Sequence, residues 1–185
     1  VPVPLGIALN FIVNGKEYLV PMATEQKSTV LLATKGAELT RATGGFKAKS
    51  TESIMIGQIQ LMKIREVEEA GQKVLANKEK ILQKANTQST TRKAVDFEIK
   101  TLETPAGSML IVELLIDVKD SMGANVVDSM CEVAAPLIES LTDGKANVKV
   151  VSNLATKRLV QVEAVVSKGS VGGVEIVDRI VEASA

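Results

Sequence analysis

The chain has 185 residues, balances 22 Lys+Arg against 22 Asp+Glu, and contains no histidine and one cysteine. Zero net charge gives no field to draw nucleic acid or an anionic membrane, and an aromatic content of 2% removes the stacking platforms of single-strand binders. Without imidazole, histidine-dependent triads are excluded and no metal site is expected. Cys131 has no disulfide partner and falls on an apolar helical face, as a small core residue would in a reducing cytoplasm.

Residues 1–13 contain Pro2, Pro4 and Asn10 and lack a basic leading segment, so they read as neither a signal peptide nor a membrane span. A chain that opens on Val-Pro-Val-Pro and closes on an uncapped helical run over 173–185 is expected to be part of a longer protein. Asn14-Gly15 between apolar runs predicts a hairpin over 11–20. Residues 28–43 read as a helix apolar on most sides, closed by Gly44-Gly45 and therefore buried inside something larger. The polar stretch 47–53 reads as a crossing into a second domain, followed by a strand over 54–65.

Residues 66–87 have the stripe of one long amphipathic helix, and 86–91 read as a polar loop. Alternation of Val95, Phe97, Ile99 and Thr101 with Asp96, Glu98 and Lys100 predicts a half-buried strand. A turn over 104–107 leads to an apolar run over 109–118, expected to be a central strand. A helix over 121–141 carries Pro136, which predicts a kink or early break. Strands over 148–152 and 158–166 and a helix over 174–181 follow. From 54 to 152 the order is β-α-β-β-α-β, the split βαβ pattern of a ferredoxin-like sandwich. The fold class is thus α+β, with a ferredoxin-like small domain over 51–154 inserted into part of a larger α/β domain supplied by 1–50 and 155–185.

Asp120-Ser121-Met122-Gly123-Ala124-Asn125 follows the apolar strand and opens the helix, where free backbone N–H groups and the helix dipole favour an anion. Read alone, Asp120 is equally a helix cap. The stretch resembles the dinucleotide-binding motif Asp-(Ala/Ser)-Met-Gly-x-Asn of 3-hydroxy-3-methylglutaryl-CoA reductases. Val3-Pro4-Leu5-Gly6-Ile7-Ala8, Val20-Pro21-Met22-Ala23-Thr24-Glu25, Arg41-Ala42-Thr43-Gly44-Gly45-Phe46 and Ser152-Asn153-Leu154 are similar to further landmarks of that family, in family order and closest to its shorter, soluble form.

The resemblance implies a ferredoxin-like cofactor domain inserted in a substrate domain. It also implies a cytoplasmic, dimer-based enzyme of the mevalonate pathway, interconverting 3-hydroxy-3-methylglutaryl-CoA and mevalonate plus CoA. On the cofactor side it implies roles for Asp120, the backbone of Met122, Gly123, Ala124 and Asn125, and Asn153 at the nicotinamide half. On the substrate side the family's Thr-Glu-Glu-Pro-Ser is Thr24-Glu25-Gln26-Lys27-Ser28 here. In direct register Gln26 stands at the catalytic Glu position, and a slipped register would put Glu25 there. Ser28 matches a substrate-binding Ser, or is a plain helix N-cap. Leu9-Asn10 departs from the family's Gly-Pro. The family's catalytic Lys, Asp and His lie in segments that would follow Ala185, so the chain alone is expected to be inactive.

The loop before Arg92-Lys93 carries no acid for a ribose 2′-hydroxyl, which favours NADP over NAD. Two alternatives differ in class: a non-catalytic family member or fragment that keeps nucleotide binding, and a ferredoxin-like interaction module without cofactor.

Overall fold

The computed structural model describes residues 2–105 and 107–184. The chain divides into two compact units, one built from residues up to Ser50 together with those from Val160 onwards, the other running from Thr51 to Leu159. The second unit therefore extends past the expected boundary at 154, because residues up to Leu159 remain hydrogen-bonded within it.

In the first unit, β1 (Leu5–Val13) and β2 (Lys16–Ala23) form an antiparallel hairpin. Its turn residues Asn14 and Gly15 have φ of 50° and 78°, the left-handed pair that a two-residue turn matched to strand twist requires. Helix α1 (Lys27–Arg41) packs on β1 and buries Ala37 and Thr40, while Leu31 and Leu32 are 70% and 71% exposed. Its N-cap is Gln26, which places Ser28 inside the first turn and removes the capping role considered for it.

The expected crossing at 47–53 is in part a strand. β3 (Phe46–Ser50) pairs antiparallel with β8 (Val160–Ala164) and meets β1 in parallel at Val13, giving the order β2-β1-β3-β8. Phe46 anchors β3 by stacking on Phe11, with ring centroids 5.6 Å apart. A helix, α5 (Val174–Ser184), closes this unit.

The second unit has an antiparallel sheet of order β5-β6-β4-β7, formed by β4 (Ile54–Met62), β5 (Lys93–Thr104), β6 (Gly107–Asp117) and β7 (Lys145–Val151). The expected turn over 104–107 includes Ala106, which lies outside the described residues. The helix expected over 66–87 is two helices, α2 (Val67–Ala76) and α3 (Lys78–Ala85), followed by a 3₁₀ turn at Asn86–Gln88. Asn77 causes the break: its backbone N–H donates three residues back to the Val74 carbonyl, while its side chain donates to the Lys73 carbonyl at 2.9 Å.

Helix α4 (Ala124–Thr142) runs through Pro136 without ending. Burial of Met130, Cys131, Ala134, Ala135 and Ile138 around the proline offsets the one backbone bond it cannot make. One face of the sheet, with Ile59, Leu61, Val112, Leu114 and Ile116, packs with these helices into the core. On the other face, Glu113 is buried but held by Lys100 at 2.6 Å and Gln58 at 2.9 Å. Burial pushes the Glu113 carboxyl up, and these two hydrogen bonds outweigh it and keep it below the usual range.

Helix α4 comes close to the sheet at Gly57, where an added Cβ would meet Cys131 Sγ and come within 2.9 Å of Val127 Cγ1. Gly57→Ala should therefore destabilise the second unit by roughly 1–3 kcal/mol through overpacking. Cys131→Ala in the same chain should recover part of that loss, a coupling readable from urea unfolding of the four-member cycle.

Candidate functional site

Strand register brings four loops to one end of the second sheet. Ile54 at the start of β4 pairs with Asp117 at the end of β6, Lys93 at the start of β5 also pairs with Asp117, and Gly57 pairs with Val151 at the end of β7. The segments before β4, before β5, between β6 and α4, and after β7 therefore leave the sheet on the same side. Among the candidates, this gathers Asp120 to Asn125 with Asn153 and Arg92.

The β6–α4 segment is held from several directions. Asp117 accepts from the Lys119 backbone N–H at 3.0 Å and also pairs with its amine, so Lys119 adopts φ of 54° and the Asp117 carboxyl is held below its usual range. Ser121 donates its N–H and its hydroxyl to the Val118 carbonyl, the latter at 2.6 Å. Arg158 donates to the Ser121 and Met122 carbonyls at 3.1 and 3.3 Å.

The helix cap is Gly123 and not Asp120. Gly123 has φ of 93°, makes no side-chain cap, and accepts the Val127 N–H through its carbonyl. Two observations require glycine there: the left-handed backbone, and an added Cβ that would lie 2.7 Å from Met55 Sδ and 2.8 Å from Val118 Cγ1. The capping role considered for Asp120 is therefore overturned, and among the described residues its carboxylate has no hydrogen-bond partner.

Around this segment the N–H groups of Met122, Gly123, Asn125 and Val126 find no acceptor among the described residues, and that of Ala124 meets only Met122 Sδ at 3.4 Å. Unpaired N–H groups at the start of a 19-residue helix form a site for an anion. Beside it, Thr91, Arg92, Lys119, Asp120 and Ser121 line an open depression of about 460 Å³. Arg92 reaches Ser121 Oγ at 3.4 Å, and its loop is braced by Ser89 Oγ, which accepts the Arg92 N–H at 3.0 Å. Lys93 turns back to the Ser89 carbonyl and does not line the depression. Asn153 is exposed, and its carbonyl accepts the Ala155 N–H at 3.2 Å.

Glu25, Gln26 and Ser28 belong to the first unit and are exposed at the start of α1. The Gln26 N–H donates to Thr24 Oγ1 at 3.2 Å, and the Gln26 carbonyl accepts the Thr29 N–H. Arg158 and Lys119 had no sequence signal: Lys119 is a single basic residue in a loop and Arg158 the second of a Lys-Arg pair, neither with spacing that marks a role. Among the described residues no group of three or more His, Cys, Asp or Glu is placed to hold a metal, and no helix is long and apolar enough to cross a membrane.

By fold the chain is a mixed α/β protein with two sheets, and it superposes on solved reductases. It matches a 3-hydroxy-3-methylglutaryl-coenzyme A reductase of Streptococcus pneumoniae with TM-score 0.93 and 28% identity, over 100% of this chain and 52% of that one. A class II 3-hydroxy-3-methylglutaryl-CoA reductase of the same organism, bound to NADPH in open conformations, matches with TM-score 0.88 and 27% identity, over 97% of this chain and 44% of that one. The family model for hydroxymethylglutaryl-coenzyme A reductase matches residues 1–185, and the chain belongs to that family. The 3-hydroxy-3-methylglutaryl-coenzyme A reductase of Archaeoglobus fulgidus is 44% identical over 98% of this chain, and that of Halobacterium salinarum 27% identical over 90%. The chain spans 43% and 42% of those two relatives.

Cys131 takes no part in the site. It is buried, and burial pushes its thiol up to about 12. A disulfide reagent at pH near 8 should leave it unmodified in the folded chain and label it fully in urea. Rapid labelling without denaturant would show that α4 opens locally.

Proposed function

We propose that this chain is the cofactor-binding portion, with part of the substrate domain, of an NAD(P)-dependent 3-hydroxy-3-methylglutaryl-CoA reductase. The reaction interconverts 3-hydroxy-3-methylglutaryl-CoA and mevalonate plus CoA. The observation that carries the reading is the N–H groups of Met122, Gly123, Asn125 and Val126, which find no acceptor among the described residues and are set by the left-handed Gly123 in the segment after a buried strand. In this reading the second unit is a ferredoxin-like cofactor domain, a description supported by its β-α-β-β-α-β order and its strand order β5-β6-β4-β7.

The backbone from Met122 to Asn125 would hold the pyrophosphate, Asp120 the hydroxyls, and Asn153 the nicotinamide half. The bound cofactor supplies hydride. Glu25, Gln26 and Ser28 would stand on the substrate side, with Gln26 able to hydrogen-bond but not to exchange a proton near neutral pH. A dimer-based assembly accords with the exposed Leu31 and Leu32 on α1, which a second copy would cover.

The test is direct. The purified chain should bind NADPH in titration calorimetry and show no substrate-dependent oxidation of it, since it has no histidine to protonate a leaving thiolate. Gly123→Ala should abolish or strongly weaken binding by forcing the peptide off its left-handed conformation, whereas Cys131→Ala should leave affinity nearly unchanged. Undiminished binding by Gly123→Ala, or turnover above a heat-treated control, would contradict this assignment.

We also propose NADPH over NADH. No carboxylate occurs from Asn86 through Lys93, and Arg92 and Lys119 line the depression together with the single carboxylate of Asp120. An exposed charge-assisted contact to a 2′-phosphate contributes about 1.5–3 kcal/mol at most, a preference of roughly ten- to a hundredfold that salt should weaken. Arg92→Ala should remove most of it and Lys93→Ala little, as measured by paired dissociation constants at low and moderate salt. Equal affinities in the parent chain would remove this preference from the reading.

A further inference from the structure

Arg158 follows the loop after β7 and takes two successive main-chain carbonyls from a segment 36 and 37 residues away. Its Nη2 donates to the Ser121 carbonyl at 3.1 Å and its Nη1 to the Met122 carbonyl at 3.3 Å, with Met55 Sδ 3.4 Å from Nη1. The backbone that carries it is itself tied down. Next to it, Leu159 donates its N–H to Thr51 Oγ1 at 2.9 Å, and the Thr51 N–H donates to the Leu159 carbonyl at 3.0 Å. Thr51 Oγ1 also donates to the Lys157 carbonyl at 3.0 Å.

In a planar trans peptide the C=O and the following N–H point in opposite directions. Pinning the Ser121 carbonyl therefore aims the Met122 N–H away from Arg158, and pinning the Met122 carbonyl does the same for the Gly123 N–H. These are two of the N–H groups that find no acceptor among the described residues. A flat guanidinium can hold two adjacent carbonyls at once, which an ammonium cannot do with the same geometry. Its charge is spent on those carbonyls.

We propose that Arg158 is a positioning residue for the cofactor. It acts through the two peptide planes it fixes, presenting the Met122 and Gly123 N–H groups to the pyrophosphate of a bound dinucleotide. This rests on the reading of the 120–125 stretch as a dinucleotide site, and it assigns a cause to that loop's conformation. Preorganised donors cost nothing to orient when the ligand arrives, so their loss should appear as lost affinity for the pyrophosphate in particular.

The experiment compares two probes on the parent chain, Arg158→Ala and Arg158→Lys: NADPH, and adenosine 2′-monophosphate, which keeps the 2′-phosphate and lacks the pyrophosphate. For Arg158→Ala the NADPH dissociation constant should rise on the order of tenfold or more, with that for adenosine 2′-monophosphate unchanged. Arg158→Lys should recover only part of the loss, and it also reports if the alanine variant does not fold. Equal losses for both probes would mean a general structural role, and full recovery by lysine would mean a simple charge effect; either overturns the proposal. In parent chain spectra, the Met122 and Gly123 amide resonances should be among those that NADPH shifts most. A parent that binds NADPH with Arg158→Ala binding equally well overturns this proposal alone. A parent that binds no dinucleotide overturns the site reading along with it.

Discussion

The packing of α4 on the sheet at Gly57 is the contact on which the rest of the second unit depends. With no side chain at that position, Cys131 and Val127 settle directly against β4, and the helix lies over β4 and the edge strand β7. The same closeness recurs at the helix start, where Gly123 rests on Met55 and Val118. A helix held further from the sheet would lift its first turn away from the end of β6, and the chain between Asp117 and Ala124 could not turn tightly enough to leave its N–H groups free. Core volume and loop conformation are here one problem: the two glycines are small for the same reason.

Charge at that end of the sheet is arranged by local pairing and not by the net balance of the chain. Lys119 is engaged with Asp117, Arg158 with two carbonyls, and Lys157 with Glu98, so these cations have partners within the fold. Arg92 is held more loosely, by the side chains of Thr91 and Ser121 at 3.3 and 3.4 Å. A neutral protein can in this way keep an anion-attracting surface over a few residues, at distances where screening by salt is incomplete.

Elements whose signal is local were legible in the sequence. The Asn14-Gly15 hairpin, the alternating strand at Val95 to Thr101 and the apolar run of β6 carry their own period, and the mixture of strands and helices in the second unit followed from them. What escaped reading depends on partners distant in the chain. β3 is short and rich in lysine, and it becomes a strand because Val160 to Ala164 pairs with it. Asn77 interrupts a helix through one side-chain bond that helical periodicity does not register. The 120–125 stretch and Asn153 were recognisable as residues, but which of them caps the helix was decided by Gly123 fitting against Met55. Arg158 carries no pattern at all, since its bonds are to carbonyls that every residue possesses.

The bonded pair of Thr51 and Leu159 has a consequence for how the polypeptide comes together. The second unit is one continuous stretch and contains every partner of its own sheet, whereas β3 must wait for β8 to be synthesised. Thr51 and Leu159 are 108 residues apart in sequence, and closing a flexible loop of that length costs about 4 kcal/mol. When the continuous unit folds first, it sets that pair side by side, and the next residues on each arm, Ser50 and Val160, start out already in register. The middle of the chain thus acts as the clasp that lets its two ends meet, and the slow search between distant strands is replaced by a short zippering step.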